Sequence, residues 1–145
     1  MKRREFITLF GGAAAAYPLA ARAQQRMRRV GVLYILDSND PEAQARNVAF
    51  EQALRQLGWT VGENLQTDVR LAAGDSGRLL QYATELIELA PDVIVAVGSV
   101  TVAPLQQATR TIPIVFVNVA DPVGAGFVES LARPGGNTTG FTNFE

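Results

Sequence analysis

Apolar runs alternate along the chain with amphipathic stretches. The run at 93–97 is uncharged and rich in valine and isoleucine, which is typical of a strand buried on both faces of a sheet. The stretch at 41–57 repeats apolar residues at helical spacing, between Pro41 at a helix start and Gly58 at a helix stop. The pattern predicts strands at 30–35, 65–73, 93–97, 112–119 and 137–145, and helices at 41–57, 78–89, 102–109 and, as a short helix after a loop, within 121–136.

Because strands and helices alternate, the sequence predicts an α/β fold with a parallel sheet and helices on both faces. The expected architecture is a flavodoxin-like or Rossmann-like lobe. In such sheets a ligand binds beyond the carboxyl ends of the strands, where the strand order reverses. Three segments are predicted to lie at those ends: 37–40, 98–101 and 118–122.

The segment after the third predicted strand, Gly98-Ser99-Val100-Thr101, combines a glycine, two hydroxyls and the start of a helix. The glycine allows close approach to the backbone, and free N–H groups at a helix start favour a carboxylate or a phosphate. An alternative is that Ser99 or Thr101 only caps the helix. The sequence contains no glycine-rich dinucleotide motif and no P-loop motif.

Asp37 and Asp121 end the first and fourth predicted strands, so two carboxylates can face the same edge of the sheet. Such a pair can hold a magnesium ion or act as acid and base. The dipeptide Asp121-Pro122 also fits an Asx-type turn that opens the next segment. A phosphoacceptor receiver domain does not fit. It requires an aspartate after strand three, where this chain has Gly98-Ser99, and a lysine after strand five, whereas the only lysine of this chain is Lys2.

The first 23 residues have the layout of an export signal, with a basic start, an apolar middle and the cleavage site Ala21-Arg22-Ala23. The apolar middle, at 7–16, is shorter than the roughly 20 residues that a membrane span needs. Arg3-Arg4 followed by Phe6-Ile7 resembles a twin-arginine signal. We expect cleavage after Ala23, a linker at 24–28 and a periplasmic mature protein.

Composition narrows the possible chemistry further. The chain has no cysteine and no histidine, which excludes disulfides, thiolate catalysis, imidazole metal sites and histidine-based triads. The 13 basic and 14 acidic residues fall to 9 and 13, a net charge of −4, once Lys2, Arg3, Arg4, Arg22 and Glu5 are removed with the signal. A mildly acidic, lysine-free module is a poor candidate for nucleic acid or an anionic membrane surface. Arg26, Arg28 and Arg29 are therefore interpreted as a solvated linker, and no metal or cofactor is expected.

The segment NVADPVGAGFVESLARPGGNTTGFT closely resembles the substrate-binding proteins of ABC transporters with the type I periplasmic-binding fold, in particular the subgroup linked to aromatic amino acids. The segments RRVGVLY, FEQALRQLGWTVGENL and KRREFITLFGGAAAAYPLAARAQQ are similar to the same family. The resemblance implies two α/β lobes that close on a small ligand and present it to a membrane permease. It also implies that 29–145 is an incomplete first lobe and that the second lobe is absent.

Carried over by position, the resemblance implies the ligand-binding residues Asp37, Ser38, Gly98, Ser99, Val100, Thr101, Asn118, Ala120 and Asp121. The implied function is capture of a small, carboxylate-bearing solute such as an amino acid for an ABC permease, with the export machinery as a further partner. Two alternatives stay open. One is an exported α/β enzyme that uses Asp37 and Asp121, and the other is a sensory module that passes its ligand to a signalling receptor.

Overall fold

The computed structural model describes residues 26–143, which form one five-stranded sheet in the order β2-β1-β3-β4-β5. All neighbouring strands are parallel. The predicted α/β class is thus confirmed, and the strand order reverses between β1 and β3. The elements are β1 (Arg28–Tyr34), α1 (Pro41–Gln56), β2 (Leu65–Leu71), α2 (Ser76–Glu88), β3 (Val93–Val97), α3 (Ser99–Ala108), β4 (Ile114–Val119) and β5 (Thr138–Thr142).

One face of the sheet is sealed by α2 and α3. Alternate residues of the central strands turn apolar side chains to these helices, because successive side chains of a strand point to opposite faces. Burying one leucine, isoleucine or phenylalanine side chain stabilises the fold by about 1.5–3 kcal/mol. The sheet residues of this core, all at most 1% exposed, are Leu33, Ile94, Ala96, Ile114 and Phe116.

The opposite face is covered by α1 over only part of its width. Phe50 and Leu54 of α1 pack near β1, so the prediction of helices on both faces is confirmed. Beyond α1, a groove of about 460 Å³ crosses β3, β4 and β5. We call it the sheet groove, and its floor consists mainly of Val95, Val97, Val115, Val117 and Phe141.

The apolar stripe of α1 is only partly buried. Phe50 and Leu54 are half-buried against the sheet, whereas Ala49 and Ala53, which share their helical spacing, are exposed. Leu57 directly after the helix is 75% exposed. Because Ala49 and Phe50 line the sheet groove, this side of α1 faces the groove as well as the sheet.

The prediction of a short helix between β4 and β5 is wrong. Residues 121–136 form successive turns instead, with backbone N–H groups of Ala125 and Phe127 donating to the carbonyl oxygens of Asp121 and Pro122. Two prolines and four glycines in this segment oppose a helix, because both residue types cost helical stability. Val128 is the residue that anchors the segment to the core, at 6% exposure.

The interpretation of Arg28 and Arg29 as part of a solvated linker is also wrong. Both residues open β1. Arg28 lies 3.1 Å from the carboxylate of Asp92, and the Nε atom of Arg29 lies 2.6 Å from the carboxylate of Asp68. The backbone N–H of Arg29 also donates to Asp92 at 2.8 Å. These contacts tie the start of β1 to both of its neighbours in the sheet.

Pairing of β5 with β4 depends on Gly140. This residue lies opposite Phe116, and a Cβ atom on Gly140 would stand only 2.1 Å from the Phe116 carbonyl oxygen and 2.6 Å from its ring. Such distances are far inside van der Waals contact, so the strand can lie here only with a glycine.

Candidate functional site

The three predicted ligand segments lie at one edge of the sheet, which we call the rim. They follow β1, β3 and β4, neighbouring strands of the parallel sheet, and therefore emerge side by side. Backbone hydrogen bonds connect the loops at this edge: Gly74 N–H donates to Ile35 C=O at 2.8 Å, and Gly98 N–H donates to Val117 C=O at 2.9 Å. The structure thus brings all the predicted site residues to the same edge.

Gly98 links β3 directly to α3 in a conformation that favours glycine. Its φ of 90° and ψ of 154° lie in a region that is essentially restricted to glycine. A Cβ atom there would meet nothing within 4 Å, so a side chain is opposed by the backbone conformation and not by crowding. The space above this residue is open to a ligand.

The first turn of α3 has no capping side chain, unlike the other two long helices. Asp40 caps α1 by accepting from Glu42 N–H at 2.8 Å, and Asp75 caps α2 by accepting from Gly77 N–H at 2.8 Å. The residue before α3 is Gly98, and no side chain accepts from the first N–H groups of the helix. Ser99 and Val100 are exposed. The alternative that Ser99 or Thr101 caps α3 is therefore wrong, and the helix begins three residues before its predicted start.

Thr101 has a different environment from its neighbours at the rim. It is fully buried, and its hydroxyl donates to the carbonyl oxygen of Gly98 at 2.8 Å. Its backbone N–H donates to the same oxygen at 3.2 Å. The side chain thus stabilises the Gly98 turn from beneath. Its predicted contact with a ligand stays a prediction.

A bulge in β4 lies at Asn118, which lines the sheet groove near the rim. Between the pairs Phe116–Gly140 and Val119–Thr142, β4 has one residue more than β5. Asn118 lies in this irregularity with a φ of 60°, in the left-handed region, and it is exposed. Its amide oxygen accepts a hydrogen bond from Asn143 beyond the end of β5. The sequence signal for this bulge is weak: asparagine tolerates the left-handed region better than most residues.

Asp121 closes an Asx-type turn, as the sequence predicts. Its Oδ1 atom accepts from Gly124 N–H at 2.8 Å, and the side chain is exposed. Gly124 is a requirement that sequence reasoning missed. A Cβ atom on Gly124 would lie 2.0 Å from the Asp121 Oδ2 atom. Ala120, beside it, is exposed at the same corner of the rim.

Asp37 and Ser38 form a similar turn after β1. The carboxylate of Asp37 accepts from Asn39 N–H at 2.9 Å and from the Ser38 hydroxyl at 3.3 Å. Both residues are exposed. Within residues 26–143, no group of three or more aspartate or glutamate side chains is arranged to hold a metal ion. Asp37 and Asp121, the pair that the enzyme alternative uses, each accept a hydrogen bond from a nearby backbone N–H group.

Tyr34, the last residue of β1, lies beneath the rim on the side of the sheet groove. It is 3% exposed, and burial raises the pKa of its phenol while the nearby Arg46 guanidinium opposes the shift. Arg46 also pairs with Glu42 along α1. Tyr34 therefore carries a neutral hydroxyl at physiological pH, because its pKa is raised from a value already far above neutrality.

Comparison with known proteins gives a consistent result. The family described as ABC transporter substrate binding protein matches residues 29–145. A tyrosine-binding protein of Clostridioides difficile (strain R20291) is 28% identical over 120 residues, which cover 83% of this chain and 34% of the relative. This chain thus spans about a third of that relative's length.

Solved structures agree on the fold. A conserved domain protein from Vibrio cholerae O1 biovar El Tor is 35% identical, with a TM-score of 0.76 over 82% of this chain and 40% of that protein. A ligand-free, open substrate-binding protein with adhesive properties from Clostridium difficile is 30% identical, with a TM-score of 0.74 over 81% of this chain and 39% of that one. An ABC domain from Streptococcus pneumonia, in complex with L-Trp, is 24% identical with a TM-score of 0.72 over 79% of this chain and 38% of that one. Among the described residues, none of the helices is both long and apolar enough to span a membrane.

Proposed function

The chain belongs to the family of ABC transporter substrate-binding proteins, and from this premise we propose that its rim forms one wall of a site for an amino acid. The observation that carries the proposal is the uncapped start of α3 at the point where the strand order reverses. Free N–H groups and the helix dipole there favour an anion, and the carboxylate of an amino acid is a suitable one.

Asp121 provides the second half of the proposed recognition. One of its oxygens accepts from Gly124 N–H, and the exposed carboxylate remains free to accept further hydrogen bonds. In this proposal Asp121 binds the ammonium group of the ligand while Ser99 and the N–H groups of α3 bind its carboxylate. Asn118 and the Asp37–Ser38 turn complete the polar wall, and Thr101 holds the Gly98 turn in place.

The ligand class that we propose is an aromatic amino acid. Its support is the similarity to a tyrosine-binding protein, at 28% identity over most of this chain. The rim residues described above recognise the groups common to all amino acids. Selection of the ligand's side chain is therefore assigned to the proposed second lobe.

We further propose that residues 29–145 act as the first of two lobes and that ligand is delivered to an ABC permease after export. Because one wall cannot exclude water, most of the affinity must come from closure between two lobes. Residues 1–23, the proposed twin-arginine-like signal, lie outside the described residues. The expected N-terminus of exported protein is Gln24, and protein sequencing that returned Met1 or Met27 would overturn this part of the proposal.

The test of the ligand uses a two-lobe chimera, in which residues 24–145 are joined to the remainder of the similar tyrosine-binding protein of Clostridioides difficile beyond the matched part. Calorimetry with tyrosine and tryptophan is expected to show binding. Tyramine, which lacks the carboxylate, is expected to bind far more weakly, and the unaltered tyrosine-binding protein of Clostridioides difficile serves as the control for folding and for tyrosine binding. Equal affinity for tyrosine and tyramine would overturn the assignment of a carboxylate to α3.

A further inference from the structure

The segment between β4 and β5, residues 121–136, begins with Asp121 and contains neither helix nor strand. It is much longer than most connections in compact domains, which have about 2–6 residues, and such long irregular segments are usually functional or disordered. Because Asp121 is the first residue of this segment, the position of its carboxylate depends on what holds the segment against the rest of the lobe.

Residues 121–127 are closed into one unit by their own hydrogen bonds. Phe127 N–H donates to Pro122 C=O at 2.9 Å. Gly124 N–H donates to the Oδ1 atom of Asp121 at 2.8 Å. We call residues 121–127 the Asp121 turn. A contact that fixes Phe127 therefore also fixes the part of the chain that carries the Asp121 carboxylate.

One side chain of α3 connects this turn to the rest of the lobe. The side-chain amide nitrogen of Gln106 donates to Phe127 C=O at 2.9 Å and to Thr138 Oγ1 at 3.0 Å, so both of its hydrogens are used. The orientation of the amide follows from the chemistry, because the carbonyl oxygen of Phe127 can only accept. Among the hydrogen bonds within residues 26–143, the bond from Gln106 is the one that joins 121–136 to another part of the lobe.

Apolar contacts also hold the segment, but they do not set its orientation. Val128 is 6% exposed in the core, and Phe127 packs partly against the same cluster. Apolar contact is non-directional, whereas a hydrogen bond depends on both distance and angle. Gln106 is half-buried and Thr138 is 3% exposed, so water competes little for these bonds. The Gln106 amide is therefore the directional link.

The helix that carries Gln106 also carries the proposed carboxylate site. The uncapped N–H groups lie at the start of α3, around Ser99 and Val100, and Gln106 follows Ser99 by about two helical turns. We propose that Gln106 is a positioning residue, whose amide holds the Asp121 carboxylate in place relative to the start of α3. The two ends of a bound amino acid are then recognised by groups that one helix keeps in register. This rests on the proposed function, which assigns the ligand's ammonium group to Asp121.

The test compares variants of Gln106 in the two-lobe chimera. Gln106→Met keeps the length of the side chain but removes both donors, and Gln106→Lys restores a donor. We expect tyrosine affinity to fall about three- to tenfold in Gln106→Met, as for the loss of one hydrogen bond, and to recover in Gln106→Lys. Affinity for the deaminated analogue, which has no ammonium group, should change little. Gln107→Met, at the exposed neighbouring position, is the matched control and should bind as the parent does.

A double variant tests whether Gln106 acts through Asp121. Once Asp121→Asn has removed the charge, adding Gln106→Met is expected to leave the ratio of the two affinities unchanged, since effects on one shared contact are not additive. A loss of folding alone would weaken both ligands alike. Equal weakening of tyrosine and its deaminated analogue in Gln106→Met, or full additivity in the double variant, would overturn the proposal.

Hydrogen exchange separates this proposal from the proposed function, because it needs no ligand. In the chimera without ligand, Gln106→Met is expected to speed exchange of the Gly124 and Phe127 N–H groups, while the amides of α2 stay unchanged. A parent chimera that did not bind tyrosine would overturn the proposed function, yet the exchange would still report the link to the Asp121 turn. Unchanged exchange at Gly124 would overturn the role of Gln106 whether or not tyrosine binds.

Discussion

The hydroxyl of Thr101 donates to the carbonyl oxygen of Gly98 across the first turn of α3, at 2.8 Å. A buried side chain thus stabilises a backbone position at the rim that is essentially restricted to glycine. Neighbouring Ser99 is exposed and makes no cap. Two hydroxyls two residues apart consequently have different roles.

We expect Thr101→Val to lower the free energy of unfolding by about 0.5–1.5 kcal/mol, because it removes a buried hydrogen bond. Thr101→Ser retains a hydroxyl and is expected to recover the hydrogen-bond contribution. Ser99→Ala should leave the urea midpoint nearly unchanged, yet weaken ligand binding by the two-lobe chimera by about 0.5–1.5 kcal/mol. A loss of stability in Ser99→Ala as large as in Thr101→Val would contradict the distinction.

Gly98→Val is expected to destabilise the lobe by about 1–3 kcal/mol, because it forces a β-branched residue into a glycine conformation. In the two-lobe chimera it should also reduce affinity for tyrosine through contact with the ligand. Gly62→Val is the matched control: Gly62 has a φ of 88° and open space around it, but lies at the other end of the sheet. Calorimetry that showed equal losses of affinity in both variants would remove the reason to place ligand beside Gly98.

Asp121→Asn is expected to retain the turn, because an amide oxygen can still accept from Gly124 N–H. The loss of charge should weaken binding of tyrosine more than binding of its deaminated analogue, which has no ammonium group. Gly124→Ala should mimic part of this effect by displacing the carboxylate, since its Cβ atom would lie 2.0 Å from Oδ2. Competition binding with the two ligands measures the ratio. An unchanged ratio in Asp121→Asn would exclude an ammonium contact at this residue.

The sheet groove predicts that residues 24–145 alone are marginally stable or prone to aggregation. Valines of β3 and β4 and the 71% exposed Phe141 form an apolar surface that α1 leaves open. We expect strong binding of an apolar fluorescent dye, and a decrease of that binding in the two-lobe chimera. Leu80→Ser, at a 50% exposed position of α2 outside the groove, should leave the dye signal unchanged. A sharp, high-temperature melt of the isolated segment would contradict the prediction.

Asp92 makes stability depend on acid pH. The backbone N–H of Arg29, and then the guanidinium of Arg28, hold the pKa of this carboxyl below its usual range. The contribution of Asp92 is therefore complete above the pKa that the carboxyl has in the unfolded chain, and it is lost as pH falls through the lower pKa of the folded state. Urea melts should show Asp92→Asn less stable than the parent at neutral pH, with the difference shrinking in acid. A difference independent of pH would contradict this cause.

The sequence predicted the strands well because their apolar runs reflect burial on both faces, which changes little with context. It also identified Gly98 and Asp121 correctly as turn positions, since each depends mainly on its own neighbours. The bulge at Asn118 was not predictable in this way, because it exists only through the pairing of β4 with β5. The short helix expected within 121–136 does not form, because the two prolines and four glycines of this segment oppose helical structure.

Gly140 fixes the alignment of β5 with β4. If β5 slipped by one residue, Thr139 or Phe141 would have to place a Cβ atom where the carbonyl oxygen of Phe116 lies, so the alternative alignments are excluded by volume. The position of Asn143 beside Asn118 is set by the same alignment. The geometry of this corner of the rim is thus determined by the absence of a side chain at Gly140, three residues before Asn143. A substitution at Gly140 is therefore expected to displace Asn143 from its position beside Asn118.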